Sequence, residues 1–333
     1  MNTSSIMLQN LIVPCSCRCR YCLLAWDGKV IGCNYKRSEI YAKAFHDWLS
    51  SRHPEISFNF SFGYSMDHPE LIQVIDFLNS IGSISGRFLQ MNGLTFKNVE
   101  EKDALMRDLL RHGVQSVNFT FYGTENYHDQ FAGRTGDFQH NLSMADAANQ
   151  AGLSVSVGVA LTAENYMQMD DLYSKLESRG ISNVRLFIPH EERRGISLAG
   201  SRCSLKEYNR LSGKVRELLN RKVYRTESEW ISATDFQPET KRSLLISLTQ
   251  QNINWFEQIG FEETIKYMED LDDEYYRNVP EFSVLLKQYG NPFGQELYGK
   301  RDLYQHYQKK YLHENSIDIY DVTDERQCGS RRY

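Results

Sequence analysis

Four cysteines crowd into one short segment near the start of the chain, CSCRCRYC at residues 15–22. Three of them, Cys15, Cys19 and Cys22, have the spacing C-x3-C-x2-C, with Cys17 between them. Three thiolates from one loop can ligate three irons of a cubane and leave the fourth iron open. A structural zinc site is the alternative, although zinc normally takes four ligands and no second C-x2-C follows. The spacing therefore predicts a [4Fe–4S] cluster on Cys15, Cys19 and Cys22.

The composition sets the class of protein in which this segment must work. The chain has 333 residues, 41% of them hydrophobic and 24% charged, with a formal net charge of -5. No run of about 18 apolar residues predicts a membrane span, and the start lacks the basic region of a secretory signal. The net charge indicates no basic patch for nucleic acid. We expect a globular cytoplasmic protein, where thiols stay reduced and a crowded set of cysteines more often binds metal or does redox chemistry than forms disulfides.

Strand and helix patterns alternate up to about residue 200 and must position the cysteine segment. Residues 7–13 form a short apolar run, and helical spacing follows over 38–51. Five more strands are predicted, near residues 56–62, 86–91, 117–121, 154–161 and 183–188. Helices are predicted after the first four of them, near residues 69–82, 98–112, 138–151 and 167–179. Alternation of this kind predicts parallel strands with right-handed crossovers, and ligands then bind at the carboxyl ends of the strands. We therefore predict an α/β fold, either a doubly wound sheet or a partial (βα)6 TIM-like barrel, with the cysteine loop at its active end.

The pattern changes after residue 200. Ser204 and Glu207 form a possible capping box for a helix reaching about residue 221. Aromatic-rich helical stretches follow, and no repeat or flexible linker is evident. We predict a barrel over residues 1–200 and a mostly helical C-terminal region over 201–333, which could cover the barrel mouth.

The cysteine segment resembles the signature of the radical S-adenosylmethionine (SAM) superfamily, C-x3-C-x-aromatic-C, with Tyr21 at the aromatic position. The (βα)6 order also resembles the partial barrel of that superfamily. The resemblance implies that SAM binds the open iron and that one electron cleaves it to a 5′-deoxyadenosyl radical, which abstracts hydrogen from a substrate carbon. An electron donor such as flavodoxin or ferredoxin is implied as well, and the protein would supply positioning and exclusion of water.

Later segments of residues 8–200 extend this resemblance to a SAM site. FGYSMDHPEL at 62–71 looks like the family's GGEPLLHPEL segment, with Gly63 matched but Tyr64 and Ser65 at the acid and proline positions. Recognition of the SAM amino group would then use backbone carbonyls or the hydroxyls of Tyr64 and Ser65. Tyr64 could equally be a packed aromatic residue.

Four further residues are candidates for SAM contact. Asn92 precedes a glycine as in the family's T-N-G turn, and Thr120 occupies the serine position of V-x-I-S-L-D-G. YHDQFAGRTGDF at 127–138 is close to H-D-x-x-R-G-x-x-G-S-F, and its Arg134 could grip the SAM carboxylate or ribose. Asn165 resembles the asparagine after strand five. The alternatives are a surface salt bridge for Arg134 and a turn or helix-entry role for Asn165.

The barrel motifs most resemble the branch that contains SPASM peptide-modifying enzymes, molybdopterin cyclases and sulfatase-maturing enzymes. The auxiliary-cluster cysteines of that branch are missing here, since only Cys203 and Cys328 follow the barrel. Either thiol could donate a hydrogen atom to a substrate radical, although a bland buried thiol is the alternative. We expect no separate domain for binding a peptide leader ahead of Cys15, since 14 residues precede it in this sequence.

The predicted function is hydrogen abstraction from a peptide or natural-product intermediate by a single-cluster radical SAM enzyme. A radical SAM enzyme acting on a small metabolite, such as a sugar or nucleoside epimerase or dehydrogenase, is the second hypothesis. A zinc-stabilised binding protein without turnover is the third.

Overall fold

The computed structural model describes residues 2–11, 15–23, 32–63, 67–234, 239–324 and 328–333. Strands and helices alternate through the first two thirds of the chain. The strands are β1 (Asn2–Gln9), β2 (Ser57–Ser61), β3 (Phe88–Gln90), β4 (Ser116–Phe121), β5 (Ser154–Ala160), β6 (Asn183–Phe187), β7 (Tyr224–Thr226), β8 (Lys241–Ser247), β9 (Leu297–Gly299) and β10 (Gly329–Arg332). The helices are α1 (Tyr35–Arg52), α2 (Leu71–Ser80), α3 (Val99–Arg111), α4 (Glu125–Ala132), α5 (Asp137–Ala151), α6 (Met169–Glu177), α7 (Leu205–Tyr208), α8 (Gly213–Glu217), α9 (Glu227–Ile231), α10 (Ile253–Asn278), α11 (Phe282–Tyr289) and α12 (Lys300–Glu314).

Two four-stranded sheets carry the strands that were predicted. One has the order β3-β4-β5-β6 with all pairs parallel, and the other has the order β10-β8-β1-β2. Strand β1 is parallel to both β2 and β8, and β10 runs antiparallel to β8. Between the sheets, the Ser83 hydroxyl donates to the Phe60 carbonyl oxygen (2.8 Å) and to Asn59 Oδ1 (2.5 Å). The α/β fold with parallel strands and crossover helices is confirmed.

In β4 the outward face is apolar and the inward face is polar. Val117, Phe119 and Phe121 of β4 belong to a buried cluster with the helices α3 and α5. On the other face, the Asn118 amide donates to the Ser156 hydroxyl at 2.8 Å, and Gln9 donates to the Ser247 hydroxyl at 2.6 Å. Period-two alternation of this kind puts the hydrophobic side under the helices. The inner surface is therefore lined by hydrogen-bonding groups.

Helix ends follow local sequence signals. The Asn98 side chain and Glu101 form a reciprocal capping box at the start of α3. Gly152 ends α5 in the left-handed conformation (φ 90°), which only glycine adopts without strain. The capping box at Ser204 and Glu207 is present as predicted, but the helix does not reach residue 221. Ser212 caps a separate helix, α8, so that prediction was wrong in length.

The region after residue 200 contains strands as well as helices. Strand β8 joins the edge of β1 and so belongs to the same sheet as the first strand of the chain. The prediction of a mostly helical region omitted the four strands β7 to β10. The first strand also begins earlier than the predicted run over 7–13, at Asn2. Within the described ranges, no helix is both long enough and apolar enough to cross a membrane.

Candidate active site

The cysteine loop lies over the carboxyl ends of the parallel strands, as predicted. The backbone amides of Arg18 and Arg20 donate to the carbonyls of Ala132 and Phe131 at 2.6 and 3.0 Å. Both acceptors lie at the end of α4, which follows β4. The loop is therefore fixed to the connection that follows the fourth strand.

Gly93 forms a second attachment for the loop. Its carbonyl accepts from the amide of Ser16 (3.1 Å), and its φ is +83°. A Cβ built on Gly93 would lie 2.0 Å from Cys15 Sγ, so no other residue fits there. The Asn92-Gly93 pair thus makes more than a generic turn, because it brings the end of β3 against the first cysteine.

Exposure separates the four cysteines of the loop. Cys15, Cys19 and Cys22 are each partly exposed, whereas Cys17 is buried with 6% exposure. The thiol of Cys17 donates to Asp137 Oδ1 at 3.6 Å. A hydrogen bond with Cys17, together with burial, raises the pKa of the Cys15 thiol. The cysteines of the C-x3-C-x2-C spacing are therefore the accessible ones, and the extra cysteine points into the protein.

The donor set fits an iron–sulfur cluster in chemistry and access. Three partly exposed thiols lie on one short loop, and all seven cysteines of the chain are free. Cradled thiolates at the end of a parallel sheet are suitable ligands for a cubane with one open iron. Among the described residues, however, no three His, Cys, Asp or Glu side chains are already gathered at metal-binding separation. Holding a cluster would therefore require the loop thiols to turn towards one another.

Aromatic side chains surround the loop. The Tyr122 hydroxyl donates to Cys19 Sγ at 3.1 Å, and the Tyr122 ring stacks on Phe131 with centroids 4.5 Å apart. The ring of Tyr21 lies 5.6 Å from Tyr122 and 5.8 Å from Phe187. A hydroxyl donor to a cysteine sulfur stabilises the thiolate and tunes any metal bound to it. Tyr122 is a site residue that the sequence analysis missed.

A buried carboxylate lies directly behind Cys17. Asp137 is 0% exposed, and its Oδ2 accepts from His128 Nε2 and from the Asn141 amide, each at 3.0 Å. Burial alone would raise the pKa of this carboxyl, but the hydrogen bond and charge of His128 and the charge of Arg134 lower it below the usual value. The carboxylate is therefore held ionised inside the protein.

Arg134 completes this network. Its Nη1 lies 3.3 Å from Asp137 Oδ1, and its guanidinium carbon is 3.7 Å from the centroid of the Phe96 ring. The side chain is only 10% exposed, so the alternative of an ordinary surface salt bridge does not describe it. Ring stacking and the ion pair fix the guanidinium in one orientation near the cysteine loop.

The rim of the site carries a second, more exposed ion pair. Arg20 donates to both carboxylate oxygens of Glu164, at 2.6 and 3.1 Å, and Glu164 also accepts from Tyr127 (2.9 Å) and Ser201. Chiefly through the hydrogen bond from Arg20, the pKa of Glu164 is lowered to about 2. This bidentate pair ties the cysteine loop to the end of β5.

Asn92 and Thr120 join neighbouring strand ends. The Asn92 amide donates to the Thr120 carbonyl at 2.9 Å, and Asn92 Oδ1 accepts from the Thr120 amide at 2.6 Å and from Gln90 at 2.6 Å. The Thr120 hydroxyl accepts from Gln90 at 3.3 Å. Both residues lie at the carboxyl ends of their strands, and one of the two N–H groups of the Asn92 amide is used by the protein itself.

Asn165 is a structural brace in the same way. Its side-chain nitrogen donates to the carbonyls of Tyr122 (2.5 Å) and Ala160 (2.7 Å), and its Oδ1 accepts from the Thr162 amide (2.8 Å). The residue is 0% exposed. The geometry favours the turn role over contact with a ribose, because no surface of the side chain reaches the mouth.

The segment after β2 is only partly described. Gly63 has φ +84°, and a Cβ there would lie 3.3 Å from Leu11 Cδ2, so it brings this segment close to the end of β1. Tyr64 and Ser65, the predicted contacts for the SAM amino group, lie outside the described residues.

The two distant cysteines pack in apolar clusters that differ from the cluster of the cysteine loop. Cys203 is 0% exposed and packs in the apolar cluster of the outward face of β4 to β6, and Cys328 packs in the cluster of the outward face of β8. Burial raises the pKa of each thiol to about 12. Since both thiols lie on the helix-covered side of the sheets, the structure does not bring either together with the cysteine loop. The expectation that one of them donates a hydrogen atom is not supported by this placement.

The site residues that the sequence analysis missed differ in how clearly the sequence marks them. Asp137 and His128 stand within the 127–138 segment that carried the resemblance, so the segment was identified although their roles were not. Tyr122 follows β4 directly, a position typical of active-site residues in parallel sheets. Glu164 has no motif of its own, and only the fold places it beside Arg20.

No family model matches the chain, and no curated protein matches it. The chain is similar in structure to SuiB from Streptococcus suis bound to the precursor peptide SuiA, with 12% identity and a TM-score of 0.44 over 57% of this chain and 40% of that one. It is similar to native anSMEcpe with bound AdoMet, with 16% identity and a TM-score of 0.44 over 61% and 57% of the two chains. It is also similar to coproporphyrinogen III oxidase (HemN) from Escherichia coli, a radical SAM enzyme, with 11% identity and a TM-score of 0.37 over 56% and 44%. The chain thus matches about half the length of these proteins, and the likeness is one of fold.

Proposed function

We propose that this protein is a radical SAM enzyme with a single [4Fe–4S] cluster held by Cys15, Cys19 and Cys22. One observation carries the proposal: three partly exposed thiols with the C-x3-C-x2-C spacing lie on one loop, pinned over the carboxyl ends of parallel strands. When bound, such a cluster supplies one electron for the reductive cleavage of SAM.

In this proposal, side chains of the protein bind SAM, hold the cysteine loop in place and exclude water from it. Arg134 is fixed by Asp137 and Phe96, and it offers guanidinium donors for the SAM carboxylate. Tyr122 holds the Cys19 sulfur through its hydroxyl, and the packed rings of Tyr21 and Phe131 keep water from that side of the loop. Arg20 and Glu164 keep the loop seated on the strand ends. Tyr21, Gly63 and Thr120 form the remaining wall of the SAM site in this proposal, and Tyr64 and Ser65 its amino-group contact.

The polar inner face supports an amide-rich substrate. Asn59, Gln90, Asn118 and Ser156 face inwards and carry donors and acceptors without formal charge. Peptide groups need both donors and acceptors, which these side chains supply, and Arg185 of β6 adds a cationic donor in the same row of this face as Thr120 and Gly158. We therefore favour a peptide or natural-product intermediate over a small metabolite such as a sugar or nucleoside.

The C-terminal region borders the mouth in this proposal. The Glu191 amide, just past β6, donates to Asp302 of α12 at 3.2 Å, and Arg202 donates to the Leu297 carbonyl at 3.1 Å. These contacts fix residues 297–302 against the segment that follows the sixth strand. We infer that the part after residue 200 closes one side of the mouth, and that the enzyme works in the cytoplasm with a flavodoxin or ferredoxin as electron donor.

The test is anaerobic incubation of the reconstituted full chain with SAM and dithionite. We expect 5′-deoxyadenosine and methionine from the wild type and from Cys17→Ala, and neither product from Cys22→Ala. Absence of 5′-deoxyadenosine from wild type with a fully loaded cluster would contradict the proposal. If the protein instead stays colourless and binds one zinc, the zinc-stabilised binding protein is the correct reading.

The substrate class is tested separately. Short peptides encoded beside the gene are co-expressed with the enzyme, and their mass is measured against co-expression with Cys22→Ala. A mass change that needs the intact cysteine supports a peptide substrate. Unchanged peptides, together with consumption of a sugar or nucleoside, would contradict it.

A further inference from the structure

A cavity of about 290 Å³ lies between α12 and the edge strand β10, away from the cysteine loop. Arg332 pairs in register with Arg242, which is five residues before the end of β8 at Ser247. At about 3.3 Å per residue, this part of the cavity is roughly 16 Å from the carboxyl end of the sheet. The cavity is therefore distinct from the proposed SAM site, and its volume is near the lower limit of small-molecule pockets.

Two buried glutamines line this cavity from one face of α12. Gln305 is 4% exposed and Gln308 is 1% exposed. The Gln308 amide is directed at the phenol oxygens of Tyr276 and Tyr304, which serve as its acceptors. Among the described residues, the Gln305 side-chain nitrogen has no hydrogen-bond partner. Leaving a buried donor unpaired costs about 1–3 kcal/mol, so this amide calls for an acceptor in the cavity.

Basic side chains lie around these amides. Among the described residues that line the cavity are Lys300, Arg301 and Arg331, together with the acid Glu239, whose Oε1 is 3.6 Å from Lys300 Nζ. Arg301 and Arg331 also have partners within the protein, so they contribute to the local field and are not isolated charges. Helix α12 begins at Lys300, and no side chain caps its amino terminus. The partial positive charge of that terminus adds to the charge of the basic side chains.

Two tyrosine rings form another part of the cavity wall. The rings of Tyr276 and Tyr304 face the cavity, and burial raises the pKa of both phenols, so both stay neutral. Arg332 stacks over Tyr276 at 4.0 Å but is already paired with Asp272 (2.7 Å). The cavity therefore has one part walled by the flat tyrosine rings and another part lined by hydrogen-bond donors and basic side chains.

We propose that this cavity binds a small organic acid with a flat apolar body, whose carboxylate accepts from the Gln305 amide beside Lys300 and Arg301. The apolar part then packs against Tyr276 and Tyr304. This site is independent of SAM cleavage, so neither proposal depends on the other.

Isothermal titration of the full chain with benzoate tests the site, with benzamide and inorganic phosphate as matched probes. We expect saturable one-to-one binding of benzoate, at least tenfold weaker binding of benzamide, and no binding of phosphate that competes with benzoate. Gln305→Leu should weaken benzoate binding at least tenfold, and Gln288→Leu, an exposed glutamine on α11, should leave it unchanged.

Three outcomes would overturn the proposal. One is the lack of saturable benzoate binding up to about 10 mM, which corresponds to an interaction too weak to be specific. Another is equal affinity for benzoate and benzamide, which would show that charge is not recognised. The third is phosphate binding that excludes benzoate. If Gln305→Leu does not fold, Lys300→Gln provides the same test, with a weakened benzoate affinity expected and an unchanged one contradicting the site.

Discussion

The mouth of the barrel and the cavity at β10 both contain buried side-chain amides, and they use them in opposite ways. At the mouth, Asn92 and Asn165 each make three hydrogen bonds to neighbouring groups of the protein. At the cavity, the side-chain nitrogen of Gln305 has no hydrogen-bond partner among the described residues. A saturated buried amide stabilises the fold, whereas an unsaturated one costs stability unless a ligand pairs with it.

The difference separates structural from ligand-binding roles at equal burial. Asn165 resembles a SAM-contact residue in sequence, but its hydrogen bonds leave nothing to offer a ligand. Gln305 carries no motif at all, yet it is the residue with a donor to spare. Burial and hydrogen-bond satisfaction together, rather than residue type, distinguish the two roles.

The largest effect is expected at the saturated end of this comparison. Asn165→Leu removes the partners of the Tyr122 and Ala160 carbonyls and the Thr162 amide. We expect the free energy of unfolding to fall by about 3 kcal/mol or more, measured by urea denaturation followed by circular dichroism. Asn149→Leu on the exposed face of α5 is the control. An unchanged urea midpoint for Asn165→Leu would show that the hydrogen bonds of Asn165 do not stabilise the fold.

The mouth also contains a side chain with donors available for a ligand, Arg134. Arg134→Lys keeps the charge and the pair with Asp137 but loses the planar fork that suits a carboxylate. We expect the dissociation constant for SAM to rise about tenfold, measured anaerobically on cluster-loaded protein by calorimetry. Arg179→Lys, in an exposed pair with Asp146, should leave it unchanged. Equal SAM affinity in wild type and Arg134→Lys would remove Arg134 from the site.

His140 of α5 is buried, and its ring lies 5.0 Å from the ring of Phe96. It makes the stability of the fold depend on pH. Burial, aided by the charges of Lys102 and Arg134, lowers the pKa of His140 to about 4. The unfolded chain binds this proton near pH 6.5 and the folded chain does not, so this stability is present above pH 6.5 and is lost as the pH falls towards 4. We expect His140→Leu to flatten the decline in unfolding free energy over that window by about 1–3 kcal/mol. Parallel curves for wild type and variant would contradict it.

The smallest effect is expected at the unsaturated end. Gln305→Leu replaces an unpaired donor with an apolar group of similar length, which should leave the unfolding free energy within about 0.5 kcal/mol of wild type without ligand. Urea denaturation in ligand-free buffer measures this. A fall in unfolding free energy as large as that of Asn165→Leu would show that Gln305 also stabilises the fold. The distinction between the two amides would then be wrong.

Much of the fold could be predicted from the sequence because its signals are local. The alternation of Val117, Phe119 and Phe121 and the glycine after α5 gave elements close to the observed ones. The pairing of β8 with β1 could not be predicted, since it joins segments more than 200 residues apart and depends on packing. The same holds for the extent of β1, whose polar first half is a strand only because β8 pairs with it.

The site was predictable where a motif is contiguous and not where it is assembled by the fold. The spacing of Cys15, Cys19 and Cys22 identified the loop, and the 127–138 segment identified Arg134. The contacts of Tyr122 with Cys19, and of Glu164 with Arg20, join separate strand ends, and no local pattern encodes them. The contact of Asn92 and Asn165 with SAM stays a prediction, and the sequence does not show the hydrogen bonds that these two side chains make within the protein.

The most direct test of the account is the iron content of four single variants after anaerobic reconstitution, with electron paramagnetic resonance of the reduced protein. Cys15→Ser, Cys19→Ser and Cys22→Ser should each lose the [4Fe–4S] signal and most of the iron. Cys17→Ser should keep both at the wild-type level, because its thiol points towards Asp137 and away from the exposed face of the loop. Loss of the cluster from Cys17→Ser, with retention in any of the other three, would contradict the assignment of the ligands.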